Sequence, residues 1–453
     1  MGAKLRHRGY GVTDSRLAYR LSIAPALERF RPEIEHACSF LDRSHPLVRT
    51  NESTRVLHYG PDAPAGAVAV PAVLFPGGVR LDEGGIHLDR AAFAPLENGK
   101  GSAPLLPPDV PRERRQAGNL VYDALGLIFF MLSRLEERGA PALDRYGRFP
   151  YAASLAARRY DAAPPLADEA AFDLAAALSG RDDPPSDSRY ELLLTHDVDM
   201  LKGYHRPWEP LRNAVGDVVK RFDPARAVRR LTDSYLSGEP WGTARDIMGK
   251  SEKYGVPSRF YFMGPSENSM DSPYVLRLPR LLRRVSDEMA ARGHIVGYHP
   301  CFATANDAGE WRRQRDALET VLGRPVREGR QHVLRYSADV TPDIWSDAGM
   351  ALDLTLGWPE VTGFRSGTCR RHASYSLRRR RTLPLEQVST AIMDFGLFGG
   401  KYRDFCVDGA LADCRGAIDA CRRFGGSLAI LFHTGQRRPP ATSFYERLLA
   451  MVA

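Results

Sequence analysis

The rhythm of apolar and polar positions changes near residue 190. Beyond it, short apolar runs alternate with longer segments whose apolar residues recur every three or four positions. Leu192-Leu193-Leu194 opens this series as a buried-strand run ending in Thr195-His196-Asp197-Val198-Asp199. Arg259–Met263, Ile295–Tyr298, Gln331–Tyr336 and Leu428–Phe432 read as further strands. Between them, Leu278–Arg292 reads as a helix with Leu281, Leu282, Val285 and Met289 on one face and Gly293 ending it. Trp311–Leu322 reads as another, stopped by Gly323. The alternation predicts an α/β fold of parallel βα units, in an open sheet or a barrel.

Upstream the pattern is mixed. Arg55–Tyr59 and Val68–Phe75 predict strands, and Asn119–Arg138 predicts a helix with Asn119 as N-cap and Gly139 as C-cap. Its polar tail, Ser133–Arg138, leads into Leu143–Pro150; these residues could build a site, and a packing and salt-bridge surface is the preferred reading. The polar, proline-bearing stretch Arg181–Ser188 is the strongest boundary. It divides the chain into a smaller α/β N-terminal part, 1–186, and a C-terminal part, 187–453. No internal repeat is visible.

Composition narrows the classes. A chain of 453 residues has room for two domains, and 43% apolar with 26% charged residues is ordinary for a globular protein. The formal charge of +8 comes mostly from scattered arginines without an aromatic-interleaved stripe, which argues against a nucleic-acid partner. The one dense cluster, Arg378-Arg379-Arg380-Arg381, reads as a solvated loop or strand edge. The longest apolar run, Leu125–Leu132, is too short to span a bilayer. Met1–Tyr10 is basic with no apolar stretch behind it, so a secretory signal is not expected. Six cysteines without a CxxC pair suit free thiols in a reducing compartment. A cytoplasmic protein without a transmembrane segment is the expectation. The sequence carries no signal for an oligomeric state.

The chemistry gathers at predicted strand ends. His196, Asp197 and Asp199 end the first strand, and His299 follows Ile295–Tyr298. His332 and Arg335 lie in Gln331–Tyr336, Arg365 follows Val361–Phe364, and His433 follows Leu428–Phe432. Parallel strands place their C-terminal ends on one face, where these residues would meet. A lone histidine after a strand is more often structural, but several in the same topological position argue for a shared site. Carboxylate plus imidazole without cysteine suits zinc or a similar divalent ion. A second carboxylate could take a proton from water, and a histidine opposite could protonate a leaving group. This is the equipment of a metal-assisted hydrolase of amides or esters.

Several ordered motifs over about residues 187–453 resemble the polysaccharide deacetylases of the NodB-homology, or carbohydrate esterase family 4, group. Thr195-His196-Asp197-Val198-Asp199 is similar to the family's Thr-Phe-Asp-Asp motif. Tyr254-Gly255-Val256-Pro257 followed by Phe260-Tyr261-Phe262 resembles the next strand. Gly293-His294-Ile295-Val296-Gly297-Tyr298-His299 resembles Gly-His-Glu-Ile-Gly-x-His, and Leu431-Phe432-His433 the closing Leu-x-His. Arg335 falls where the family has an arginine after a strand. The segment Gly363–Cys369 and the stretch Leu127–Glu137 resemble a branch with a separate N-terminal domain of unestablished function.

The resemblance implies a distorted (β/α) barrel and a divalent metal, usually zinc. It makes Asp197 the general base, Asp199 and His299 metal ligands, and His433 the general acid. Arg335 or Arg365 would orient Asp197 or bind substrate. The family's second histidine, four residues after the first, is replaced here by Ala303. His332 is the best candidate for the third ligand, with His196 and His294 as others, although His294 also suits a structural role. His205 suits either substrate contact or a surface loop. Glu386 and Asp394 are further candidates beside the pocket, and Cys369 reads as packing.

The expected function is removal of N-acetyl groups, with O-acetyl groups second, from a saccharide in surface-polysaccharide metabolism. A nucleotide- or lipid-linked sugar would be a cytoplasmic substrate of that kind. The rivals are another amide hydrolase on the same scaffold, and a non-catalytic descendant that binds a glycan or a partner protein.

Overall fold

A computed structural model describes residues 17–97, 104–107, 120–140, 142–183, 190–201, 208–232, 240–436 and 439–453. The strand Glu191–Val198 runs parallel to Ser258–Met263 on one side and to Ser427–Leu431 on the other. From Ser258–Met263 the sheet continues through Ile295–His299, Glu328–Gly329, Leu352–Asp353 and Arg381–Gln387, all parallel, to an antiparallel edge, His372–Ser376. At the other end lies Thr390–Met393. A bridge between Gly357 and Thr390 joins the two flanks of this nine-stranded sheet.

The sheet is curled, because residues from well-separated strands meet on its inner face. Leu193, Tyr261, Leu352, Leu354, Val388 and Ala429 form a small buried cluster of their own. Their chain neighbours Leu194, Phe260, Phe262, Leu428 and Ile430 point the other way into a larger core. That alternation is the two-residue period of a strand with one face inside a barrel and the other under helices. The helices Pro279–Ala291 and Ala308–Leu322 supply Leu282, Val285, Met289, Trp311 and Leu318 to the outer layer. Gly297 is required by the inner face, since a Cβ there would lie 2.7 Å from the Tyr261 ring.

One expected strand is displaced. Gln331–Tyr336 is not extended; the strand is the two-residue Glu328–Gly329, and the chain then makes a tight turn at His332–Leu334. Val333 and Leu334 take positive φ, 53° and 59°. His332 therefore follows a strand end instead of lying within a strand.

Before residue 190, a four-stranded parallel sheet has the order Leu47–Arg49, Leu17–Ile23, Val56–Tyr59, Val68–Val70. A hairpin, Val79–Asp82 with Gly85–Leu88, stands apart from it. The helix Ala124–Ser133 is buried on every side and forms the middle of this layer. It is shorter than the expected Asn119–Arg138, and Asn119 lies outside the described residues. The buried Asp123 carboxylate caps its start, accepting the N–H of Gly126 along with those of Val73 and Leu74 and the Tyr59 hydroxyl. The helix stops where Arg134 enters the left-handed region.

This core is completed from the C-terminal part. Tyr336, Leu356, Trp358, Tyr375 and Leu377 pack into it. A fully buried ion network crosses the same junction. Arg365 forms a two-pronged bond to Glu137, at 2.9 and 2.7 Å, and Glu137 also accepts from Arg134.

Candidate active site

The opening strand sorts its side chains by parity. Thr195 and Asp197 face the barrel interior, whereas His196 faces the helices. The sorting decides the role of each. Arg330, just beyond Glu328–Gly329, is fully buried and donates to Asp197 Oδ1 at 2.7 Å, Thr195 Oγ1 at 2.7 Å and Thr390 Oγ1 at 3.0 Å. Burial opposes the charge on Asp197, but Arg330 and then His299 outweigh it and hold the carboxyl below its usual range.

Asp199, His299 and His332 converge beside Asp197, each with one ligand atom within 4.8 Å of the others. His299 Nδ1 donates to the Arg330 carbonyl at 2.6 Å, which leaves the Nε2 lone pair facing Asp199 Oδ1 at 3.5 Å. His332 Nδ1 donates to Asp271 Oδ1 at 2.7 Å, and its Nε2 lies 4.0 Å from the same Asp199 oxygen. Among the described residues, Asp199 Oδ1 and His299 Nε2 are both buried without a hydrogen-bond partner. Two acceptors that face each other in this way call for a shared positive charge. The pKa values agree in direction: burial lowers that of His299, yet Asp197 and Asp199 raise it on balance, and Asp199 is held well down. Two imidazole nitrogens and one carboxylate oxygen suit a divalent cation of the zinc class. Each imidazole is oriented through its other nitrogen, as metal-ligating histidines usually are.

His433 lies just past the end of Ser427–Leu431 and lines the same cleft. Its Nδ1 donates to Asp394 Oδ1 at 2.6 Å, and its backbone N–H to Asp394 Oδ2 at 2.8 Å. Burial works against a charged ring, but Asp394 overrides it and raises the pKa to about 9. The cleft has a volume of about 1160 Å³ and is lined by Asp197, Asp199, His332 and His433, and also by Tyr146 and Tyr402.

Two expected roles are corrected. Arg335 does not reach Asp197: the turn at His332–Leu334 sends it away, to stack on Phe302 at 4.2 Å and bond that residue's carbonyl. Arg365 is committed to Glu137 and packs over Trp358 at 4.9 Å. Arg330 holds the carboxylate instead.

The remaining candidates have other places. His196 bonds the Phe432 carbonyl and Ser258, away from the cluster. His294 accepts from Ser258 N–H and donates to Glu252. Ala303 is exposed in the turn Phe302–Asn306. Asp394 sits behind His433, whereas Glu386 pairs with Arg371 and Arg43, off the cleft. Cys369 is buried and bonds Asp168 through its N–H. His205 lies outside the described residues. Sequence reasoning missed Arg330 and Asp271. Arg330 ends a strand too short to show a hydrophobic run, and Asp271 lies in a polar loop without periodicity.

The family model DUF7033, a family of unknown function, matches residues 82–182. No curated protein matches the chain. Among solved structures it is similar to a putative polysaccharide deacetylase from Mycobacterium smegmatis, with 18% identity and a TM-score of 0.40, over 59% of this chain and 85% of that one. It is also similar to the polysaccharide deacetylase Bc1974 from Bacillus cereus, with 14% identity and a TM-score of 0.29, over 58% and 88%. A BA3943 mutant, a CE4 family pseudoenzyme, matches with 12% identity and a TM-score of 0.30, over 59% and 63%.

Proposed function

We propose that this protein is a metal-dependent hydrolase that removes an acetyl group, most readily from nitrogen, from a saccharide. The observation that carries the reading is the facing pair of acceptors unpartnered among the described residues, Asp199 Oδ1 and His299 Nε2, with His332 beside them and Asp197 and His433 lining the same cleft.

Asp199, His299 and His332 would hold the cation, and the third ligand would come from a later strand end in place of Ala303. A divalent ion bound there supplies a Lewis acid for the acetyl carbonyl and acidifies water. The protein's own groups do the proton work. Asp197, kept ionised by Arg330, takes the proton from the attacking water. His433, kept protonated by Asp394, gives its proton to the departing amine. The cleft, about 1160 Å³ and lined also by Tyr146 and Tyr402, has room for a sugar residue, which favours a saccharide over a small amide.

Metal analysis of the purified chain tests the reading. About one zinc or similar ion per chain is expected, with loss in Asp199→Ala and in His332→Ala, together with acetate release from an N-acetylated oligosaccharide. A chain that binds no divalent ion, or whose metal content ignores both substitutions, refutes it.

A further inference from the structure

Beside the cleft, the chain makes a helical hairpin with one face left exposed by the described residues. The helix Glu209–Arg221 packs on Pro224–Leu231 through a narrow stripe, in which only Pro210, Ala214 and Asp217 of the first helix are buried. Trp208, Leu211, Val215, Val218, Val219 and Phe222 recur every three or four positions on another face, and all are exposed, from 45% to 86%. A continuous apolar stripe of this kind on a surface helix marks an interaction site.

Charge selects the occupant. Exposed Arg212, Lys220 and Arg221 border the stripe, and the second helix adds Arg226, Arg229 and Arg230. Of the three carboxylates in the hairpin, Glu209 is half-buried at its start, and Asp217 is fully buried and consumed by Arg221, Arg226 and Arg230. Asp223 caps the second helix through Arg226 N–H. The hairpin therefore offers cations outward with little acid between them. A second copy docked face to face would set those cations against one another. Apolar side chains with a tryptophan and a phenylalanine at the ends, flanked by Lys and Arg, suit the plane of an anionic lipid surface. Arg226, Arg229 and Arg230 also line the cleft that holds Asp197 and His433, so a surface bound by the hairpin lies next to the cleft's mouth.

We propose that the hairpin docks the protein on an anionic membrane surface and thereby presents a lipid-borne saccharide to the cleft; the second half rests on the hydrolase reading. Vesicle flotation of the full chain tests the docking without reference to catalysis. The chain should float with phosphatidylglycerol-containing vesicles and not with pure phosphatidylcholine, and high salt should weaken the binding. The variant Val219→Asp/Phe222→Asp changes only exposed positions. It should partition at least about tenfold less, with unchanged thermal unfolding and metal content. Its acetate release from a soluble acetylated saccharide should match the parent, while release from the same sugar on a vesicle-anchored lipid falls. Absence of flotation on either vesicle overturns the docking, as does equal flotation by the variant. So does parent self-association in sedimentation that the variant abolishes, since the stripe then belongs to a second copy. Flotation without any acetate release leaves the docking intact and refutes the hydrolase reading alone.

Discussion

Arg330 and Asp394 each set the charge of a group that would move a proton. Arg330→Ala leaves Asp197 buried with no guanidinium and should raise its pKa, because desolvation then dominates. The variant should lose at least about a hundredfold in turnover, and its acidic limb should move to higher pH, as read from a kcat/KM–pH profile. For His433 the folded pKa of about 9 lies above the usual histidine value of 6.5. A raised folded pKa stabilises the fold fully below pH 6.5 and loses that contribution as pH rises through 9. In chelator-treated protein, denaturant titrations should therefore show parent and His433→Gln converging between those limits. A constant difference across the range refutes the ion pair with Asp394. Asp271→Asn leaves His332 without its orienting carboxylate and should weaken metal binding about 10- to 100-fold, measured by competition with a chelating dye.

At the scale of elements, parity along Glu191–Val198 separates chemistry from architecture. His196 and Asp197 are adjacent and equally buried, yet one ties two strands together and the other meets the cleft. His196→Ala should cost about 2–4 kcal/mol of stability through the emptied space and the unpaired Phe432 carbonyl. Its metal content per folded chain should match the parent, and a loss of metal without a loss of stability would place His196 in the site instead. The strands Arg259–Met263, Ile295–Tyr298 and Leu428–Phe432 were legible because each buries both faces, or one face and the barrel interior, in a continuous apolar run. The rule that parallel strands share a C-terminal rim also makes the convergence of Asp197, Asp199, His299, His332 and His433 legible in the sequence. Legibility failed at residues 328–336, where a two-residue strand leaves no run and a positive-φ turn carries Arg335 away. Arg365 looked available because its partner, Glu137, lies 228 residues away in the chain. No local pattern encodes such a pairing.

At the scale of the whole molecule, the two parts of the chain share one interior. Trp358 and Tyr375 belong to the C-terminal sheet region but are buried in the core built by residues before 190. Arg365 is neutralised from that side as well. A fragment beginning at residue 187 would expose those rings and strand a buried guanidinium, a defect of several kcal/mol. It should be insoluble or molten when expressed alone, as judged by near-ultraviolet circular dichroism, and co-expression with residues 1–186 should rescue it. Among the described residues, no helix is long and apolar enough to cross a membrane.

Arg330 serves the site twice, by different atoms. Its guanidinium fixes Asp197, and its main-chain oxygen fixes the proton on His299. Side-chain replacement removes the first function and keeps the second. A mutational scan of position 330 would therefore report only on the carboxylate. The contribution of that oxygen to the imidazole stays hidden from any library of the twenty amino acids, and reaching it takes a change to the backbone itself, such as an ester or thioamide in place of the peptide bond.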